Sequence, residues 1–215
     1  ESGCRQRSCI EMTKIAVFAS GGGTDFQSVI DANEAEKFCE IAYLVASKPQ
    51  IGAIARAEKH GIKTITFEKT KEDKASFYAR VADTLKNAGV EYIVLAGWLL
   101  VVPSEFIQRF ENRIINIHPS LIPSFCGEGF YGLRVHEAAL ERGVKLTGAT
   151  VHFVEADVDG GAIIMQRAVA VEQDDTPESL QARILKEEHV MLPLCVKLLC
   201  EGKIVKEGRQ VRVEK

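Results

Sequence analysis

No run of apolar residues in this chain reaches the roughly 18 that a membrane-spanning helix needs, so the sequence offers no bilayer partner. The six cysteines, at positions 4, 9, 39, 126, 195 and 200, contain no C-x-x-C pair. That removes the common zinc and dithiol spacings, and no metal site is expected. Charge of one sign is not in excess either: 27 Lys and Arg face 30 Asp and Glu, a net charge of −3. A basic field able to grip a phosphodiester backbone is missing, which argues against nucleic acid as a partner. Internal repeats, low-complexity stretches and Pro- or Gly-rich linkers are also missing, so solenoid and fibrous classes fall away. The opening residues, ESGCRQRSCIE, lack the apolar core of a secretory signal. We read residues 1–13 as a disordered tail or non-native remnant, and 14–215 as a single domain. A metal or redox role for Cys4 and Cys9 is the minor alternative there.

What remains is ordinary globular composition. The chain has 215 residues, 46% hydrophobic and 27% charged, enough to bury a sizeable core. The expected setting is the cytoplasm, with reduced thiols. Apolar runs at 14–20, 41–47, 63–68, 91–97 and 113–118 read as strands buried on both faces. Helical patterns lie between them at 24–38, 51–60, 72–88 and 103–110. This alternation predicts a Rossmann-like α/β fold, a mostly parallel sheet with helices on both faces. From about residue 145 the pattern changes. Two long strand-like runs, KLTGATVHFVE and AIIMQRAVAVE, suggest a mixed or antiparallel extension, followed by a helix at 177–199 and short strands at 203–206 and 210–213.

Three segments carry chemistry. SGGGTDFQ, residues 20–27, falls between the first strand and the first helix. Glycines let backbone N–H groups approach a ligand, and a helix start adds free donors and a positive dipole end. The loop lacks the lysine of a P-loop and the third glycine of a dinucleotide fingerprint. It reads either as a phosphate site or as a tight turn. In the strand segment I114-I-N-I-H-P-S120, Asn116 and His118 share one face while Ile115 and Ile117 face the other layer. The pair is either a hydrogen-bonded core pair or a catalytic one, with an amide donor for an oxyanion and an imidazole for proton exchange. D157-V-D-G-G161 reads as a turn, from which Asp159 is able to reach the histidine and favour its charged form.

The ordered set IAVFASGGGTDFQSVIDA, LAGW, INIHPSLIPSF, HEAAL, TGATVHFVEADVDGGAII and LKEEH resembles the phosphoribosylglycinamide formyltransferase family, within the folate-dependent formyltransferase superfamily. The resemblance runs from about residue 14 to 205. It implies formyl transfer from the co-substrate 10-formyltetrahydrofolate to the amine of 5-phosphoribosylglycinamide, a step of purine biosynthesis, by a monomer or homodimer. It implies that Asn116 stabilises the oxyanion, that His118 is the protonated partner of that oxygen or a proton shuttle, and that Asp159 holds and charges His118 and helps move protons. Phosphate would lie on Gly22, Gly23, Thr24 and Asp25, and ribose hydroxyls near Glu188. The pterin would lie beside Trp98, Leu99, Leu100, Val101 and Val102 and beside Ala156 and Asp157, with Lys74 reaching the folate tail. Leu99 to Val102 also read as ordinary core.

Two departures stand out against the family pattern. Asp25 stands where many relatives carry asparagine, and Leu100 where relatives often carry arginine. The stretch SFCGEGFYGLRVH, residues 124–136, is longer than usual and reads as a lid loop carrying Phe125, Phe130 and Tyr131. Cys126 reads as a bystander there. His136 and His152 read as structural neighbours of the site, and His60 and His189 as surface or packed helix-end residues. Three other functions compete: a methionyl-tRNA formyltransferase, expected to carry a basic tRNA domain; a formyltetrahydrofolate deformylase, expected to carry an amino-terminal regulatory domain; and a non-catalytic nucleotide-binding module.

Overall fold

The first strand starts two residues after Met12 because Lys14 to Ala19 is an apolar run with β-branched and aromatic residues and no breaker. The computed structural model describes residues 12–214, and the reading of residues 1–11 as a tail, with Cys4 and Cys9, lies outside them. The elements run β1 (Lys14–Ala19), α1 (Thr24–Glu36), β2 (Glu40–Ala46), α2 (Gly52–Lys59), β3 (Lys63–Thr66), α3 (Lys74–Asn87), β4 (Val90–Leu95), α4 (Ser104–Arg109) and β5 (Ile114–His118). They continue α5 (Leu133–Arg142), β6 (Leu146–Phe153), β7 (Ile163–Ala170), α6 (Pro177–Cys200), β8 (Ile204–Glu207) and β9 (Gln210–Val213).

Seven strands form one sheet in the order β3-β2-β1-β4-β5-β6-β7. The first five are parallel, and β6 and β7 extend the sheet antiparallel. The Rossmann-like reading and its antiparallel extension therefore hold. β8 and β9 form a separate hairpin. Strand alternation divides the core in two. Ile15, Val17 and Ala19 pack with α1, α2 and α6, whereas Ala16 and Phe18 pack with α3 and α4 around Phe77, Phe106 and Phe110. The same alternation acts in β5: Ile115 and Ile117 enter the α1 and α6 layer, and Ile114 enters the other. Among the described residues no helix is long and apolar enough to cross a membrane.

Helix α5 corrects the reading of 124–136 as loop throughout. The chain turns helical at Leu133, after Gly132, whose side-chain-free cap gives no Ser, Thr, Asp or Asn start signal. Its apolar positions Val135, Ala139 and Leu140 keep helical spacing, and Gly143 closes it in the left-handed conformation. Helix α6 has the start signals that α5 lacks. The Thr176 side chain accepts from the Ser179 N–H, the Ser179 hydroxyl accepts from the Thr176 N–H, and Pro177 follows the cap.

Strands β6 and β7 meet so closely at Gly148 that a Cβ there would stand 1.9 Å from the Arg167 carbonyl oxygen and 2.9 Å from Leu121 Cδ2. Relief requires backbone movement. Gly148→Ala is therefore expected to destabilise the fold by roughly 1–3 kcal/mol, the usual scale of overpacking. The check is a lower urea midpoint at unchanged slope; an unmoved midpoint would contradict the close approach.

Candidate active site

The sheet order reverses between β1 and β4, and in open α/β sheets such a reversal opens a crevice at the carboxyl ends of the strands. Two hydrogen bonds tie the strand exits together there. The Ser20 N–H donates to the Gly97 carbonyl at 3.1 Å, and the Leu99 N–H donates to Ser20 Oγ at 2.9 Å. Next to them lies a cavity of about 550 Å³. The segment after β4 forms one wall. Its anchor is Trp98, edge-on to Phe18 at 5.0 Å and donating through Nε1 to the Tyr78 hydroxyl at 3.0 Å. Leu100 and Val102 pack on the core beside it, while Leu99 and Val101 stay 56% and 70% exposed. All five residues from Trp98 to Val102 line the cavity, so the core and binding readings of this stretch are not exclusive.

Asn116, His118 and Asp159 line the same cavity, together with His152. Antiparallel pairing places Asn116 opposite His152, and Asn116 Nδ2 lies 3.2 Å from His152 Nε2. The His152 Nδ1–H donates to the Phe153 carbonyl at 2.8 Å. With that proton on Nδ1, Nε2 is the acceptor, and the Asn116 amide must present its NH₂ to it. His118 Nε2–H donates to the Phe125 carbonyl at 2.9 Å, which leaves Nδ1 toward Asp159, 3.7 Å from Oδ2. Asp159 Oδ1 stands 3.6 Å from His152 Nε2, and its Oδ2 accepts the Gly127 N–H at 2.9 Å. The carboxylate thus faces both imidazoles. Asp159 and Phe125 both hold left-handed backbone, with φ of 55° and 51°, which is uncommon for residues with side chains.

Burial sets the proton affinities of this group. His118 is 5% exposed, and burial pushes its pKa below the ordinary imidazole value, although Asp159 and the Phe125 bond pull the other way. It is therefore neutral at pH 7. Burial pushes Asp159 upward, but His152, His118 and the Gly127 N–H outweigh it and hold the carboxyl below its ordinary value. His136, buried beside His118, is pushed down to about 4 by burial and then by that neighbour.

The glycine loop lies across the crevice. Gly23 caps α1 at φ 73° with no side-chain hydrogen bond, so the first-turn N–H groups have no side-chain cap. A Cβ at Gly23 would stand 2.7 Å from Ala53 Cβ, so this position requires glycine on two counts. Arg56 of α2 braces the loop: Nε donates to the Gly22 carbonyl at 2.8 Å and Nη1 to Gln27 Oε1 at 3.0 Å. Thr24, Gln27, Ser28, Asp31, Arg56 and His189 line a shallow depression of about 430 Å³. Asp25 lies beneath it, against Glu188 and His189 of α6.

The remaining candidates fall apart. Ala156 lines the main cavity, but Asp157 turns onto Gly160, where its Oδ2 would lie 2.3 Å from an added Cβ. Lys74 is exposed on the first turn of α3 and is not among the cavity's lining residues. Segment 124–132 reaches the centre through the Phe125 carbonyl and Gly127 N–H, and Phe130 and Tyr131 line the cavity. The sequence signal for His152 was its own strand alternation: His152, like Thr150, faces the Asn116 side, but the antiparallel register that makes it a neighbour is not legible in spacing. Arg56 carried no signal beyond lying on the helix after β2.

A parallel sheet with a polar cluster at its carboxyl edge defines an α/β enzyme class whose site opens at the strand-order reversal. Within that class the chain belongs to the formyl transferase family, whose pattern residues 13–196 match. It is 40% identical over 203 residues to the chloroplastic phosphoribosylglycinamide formyltransferase of Vigna unguiculata, covering 94% of this chain and 65% of that protein. The chain thus spans about two-thirds of the length of that plant relative. It is also 40% identical over 190 residues to the phosphoribosylglycinamide formyltransferase of Bacillus subtilis, covering 87% of this chain and 95% of the bacterial one. The crystal structure of glycinamide ribonucleotide transformylase 1 from Symbiobacterium toebii superposes with a TM-score of 0.90 at 37% identity over 100% of both chains.

Because Asp159 pulls the His118 pKa upward against burial, Asp159→Asn is expected to lower it further. NMR titration of the His118 ring signals checks this. A pKa equal to wild type would mean the two groups do not interact.

Proposed function

We propose that this chain transfers the formyl group of 10-formyltetrahydrofolate to the amine of 5-phosphoribosylglycinamide, as a cytoplasmic enzyme of purine biosynthesis whose catalytic unit is residues 14–215. The observation that carries the proposal is the convergence of Asn116, His118 and Asp159 on one cavity walled by Trp98 to Val102. The family and the printed names of its relatives support the choice of substrates.

The reaction moves one proton and one acyl group. The substrate amine attacks the formyl carbon, and the carbonyl oxygen becomes an alkoxide. Asn116 donates an N–H to that oxygen, a role for which its amide is already oriented by His152. His118 is neutral before reaction and has Nδ1 unprotonated, so Nδ1 takes the proton the amine must lose. The imidazolium formed is held by Asp159, whose carboxylate stays ionised. Collapse of the tetrahedral species breaks the bond to N10 of the folate, and the same proton passes from Nδ1 to N10. The products are the formylated amine and tetrahydrofolate, with atoms and charge in balance.

The same reading assigns the folate ring to the wall at Trp98–Val102 and to Ala156 and Asp157, with Lys74 toward the folate tail; Trp98–Val102 and Ala156 line the cavity. It assigns the phosphate to the N–H groups of Gly22, Gly23, Thr24 and Asp25 and the ribose to Glu188. Support for the phosphate subsite is the helix start at Gly23 without a side-chain cap, braced by Arg56.

A formyl-transfer assay with the two named substrates tests the proposal: formylated nucleotide is expected, and simple hydrolysis of the folate without transfer would replace the reading by a deformylase. His118→Ala is expected to lower kcat by about 100-fold or more, on the scale of losing a positioned general base, with nucleotide affinity nearly unchanged. A kcat within twofold of wild type would remove His118 from the mechanism.

A further inference from the structure

Asp25 presents an electrostatic problem that the reaction does not use. Its carboxyl lies under the glycine loop with the side chain only 14% exposed, and its Oδ1 is buried without a hydrogen-bond partner. The nearest cationic candidate is His189 of α6, whose Nε2 stands 3.6 Å away and is likewise buried and without a partner. Two polar atoms face each other and neither satisfies the other. The preceding residue of α6, Glu188, is a second carboxyl and is 7% exposed. If both carboxyls were ionised, two like charges would share a site of low polarity directly below the loop proposed to receive a phosphate dianion.

The groups around Asp25 do not neutralise it. On α6, Glu188 adds negative charge, and burial followed by the Arg56 guanidinium keeps His189 below the ordinary imidazole value, hence neutral. On α2, Arg56 already spends its Nε on the Gly22 carbonyl and an Nη on Gln27. On α1 itself Asp31 is bonded to Gln27, and Glu34 is paired with His60, on the helix surface a turn or more away. The cheapest remaining way to remove charge is a proton.

We infer that nucleotide binding at this loop takes up a proton, held by the Asp25 and Glu188 carboxyls, so that the phosphate meets a site relieved of one negative charge. The inference rests on the proposed phosphate subsite and deepens it. In the protonated state Asp25 is isoelectronic with an asparagine side chain, and its hydroxyl supplies a donor that asparagine would supply as N–H. Burial pushes the Asp25 pKa up to about 6, and burial followed by the Asp25 charge raises that of Glu188. The sign follows from linkage: a ligand that binds the protonated form better loses affinity as pH rises through the pKa of the free site.

The test is calorimetric titration of the protein with 5-phosphoribosylglycinamide alone, at pH 7 to 8, in buffers of different ionisation enthalpy. The substrate phosphate titrates near pH 6, and its preference for the dianion contributes only proton release. Net uptake by the wild-type protein is expected, with Kd rising toward about tenfold per pH unit; net release or no exchange overturns the inference. Asp25→Asn is expected to abolish the uptake and flatten Kd above pH 7, and uptake retained in that variant overturns the assignment to Asp25. Glu188→Gln, an independent variant should Asp25→Asn not fold, is expected to reduce the uptake whatever it does to affinity; full uptake there overturns the shared-proton account. Failure of wild type to bind the nucleotide at all would overturn the proposed function itself, a result distinct from binding without proton exchange.

Discussion

The reversal of strand order between β1 and β4 is the constraint on which the site depends. β1 and β4 stay paired to their ends, but the chain leaves β1 into the α1 layer and β4 into the α4 layer, so the crevice opens between two exits that need tying together. Ser20 ties them twice, donating its N–H to Gly97 and accepting the Leu99 N–H on its hydroxyl. These bonds fix the glycine loop and the Trp98–Val102 wall as two sides of one crevice. The neighbouring strand β5 then delivers Asn116 and His118 to its floor. The positions proposed to bind and those proposed to react are thus brought together by sheet topology before any side chain is chosen.

Side chains determine what the crevice can do, and there the polar network is costly unless complete. Two buried imidazoles, an amide and a carboxylate stand in a largely apolar shell. The structure resolves their competition through backbone groups: the Phe125 and Phe153 carbonyls each fix one histidine tautomer, and the Gly127 N–H fixes Asp159. The uncommon backbone at Phe125 and Asp159 brings those groups within range. Segment 124–132 is therefore wired into the reacting centre, which differs from a lid that merely covers it. Its Phe130 and Tyr131 add apolar wall on the same side.

The parts of this arrangement legible in the sequence are those governed by local rules. Buried parallel strands read as unbroken apolar runs, so β1 to β5 stand within two or three residues of their expected bounds. Period-two alternation placed Asn116 and His118 together because that rule needs no partner strand. Helix α5 escaped because a glycine start and ten residues give little periodicity to detect. His152 was expected beside the site only through the family resemblance, because its contact with Asn116 depends on antiparallel register across 36 residues, which strand alternation alone does not show. The direction of the Asp157 side chain likewise follows from the local turn, in which its carboxyl closes on Gly160, and not from its distance of two residues from Asp159.

Two opposite solutions to buried charge lie in one crevice. At Asp159 the carboxylate receives the Gly127 N–H and stands beside His118 Nδ1, the atom on which a transient imidazolium would carry its proton. At Asp25 the carboxyl is set against another carboxyl and an imidazole whose pKa burial and Arg56 lower, so its charge is opposed. The difference is geometric and lies in which groups the main chain aims at each acid. A reacting centre needs a fixed negative charge to balance a proton in motion. A phosphate cradle needs the reverse, and if the loop above Asp25 is one, as proposed, the burial of Asp25 and Glu188 together favours a proton over an added cation as the way to meet that need.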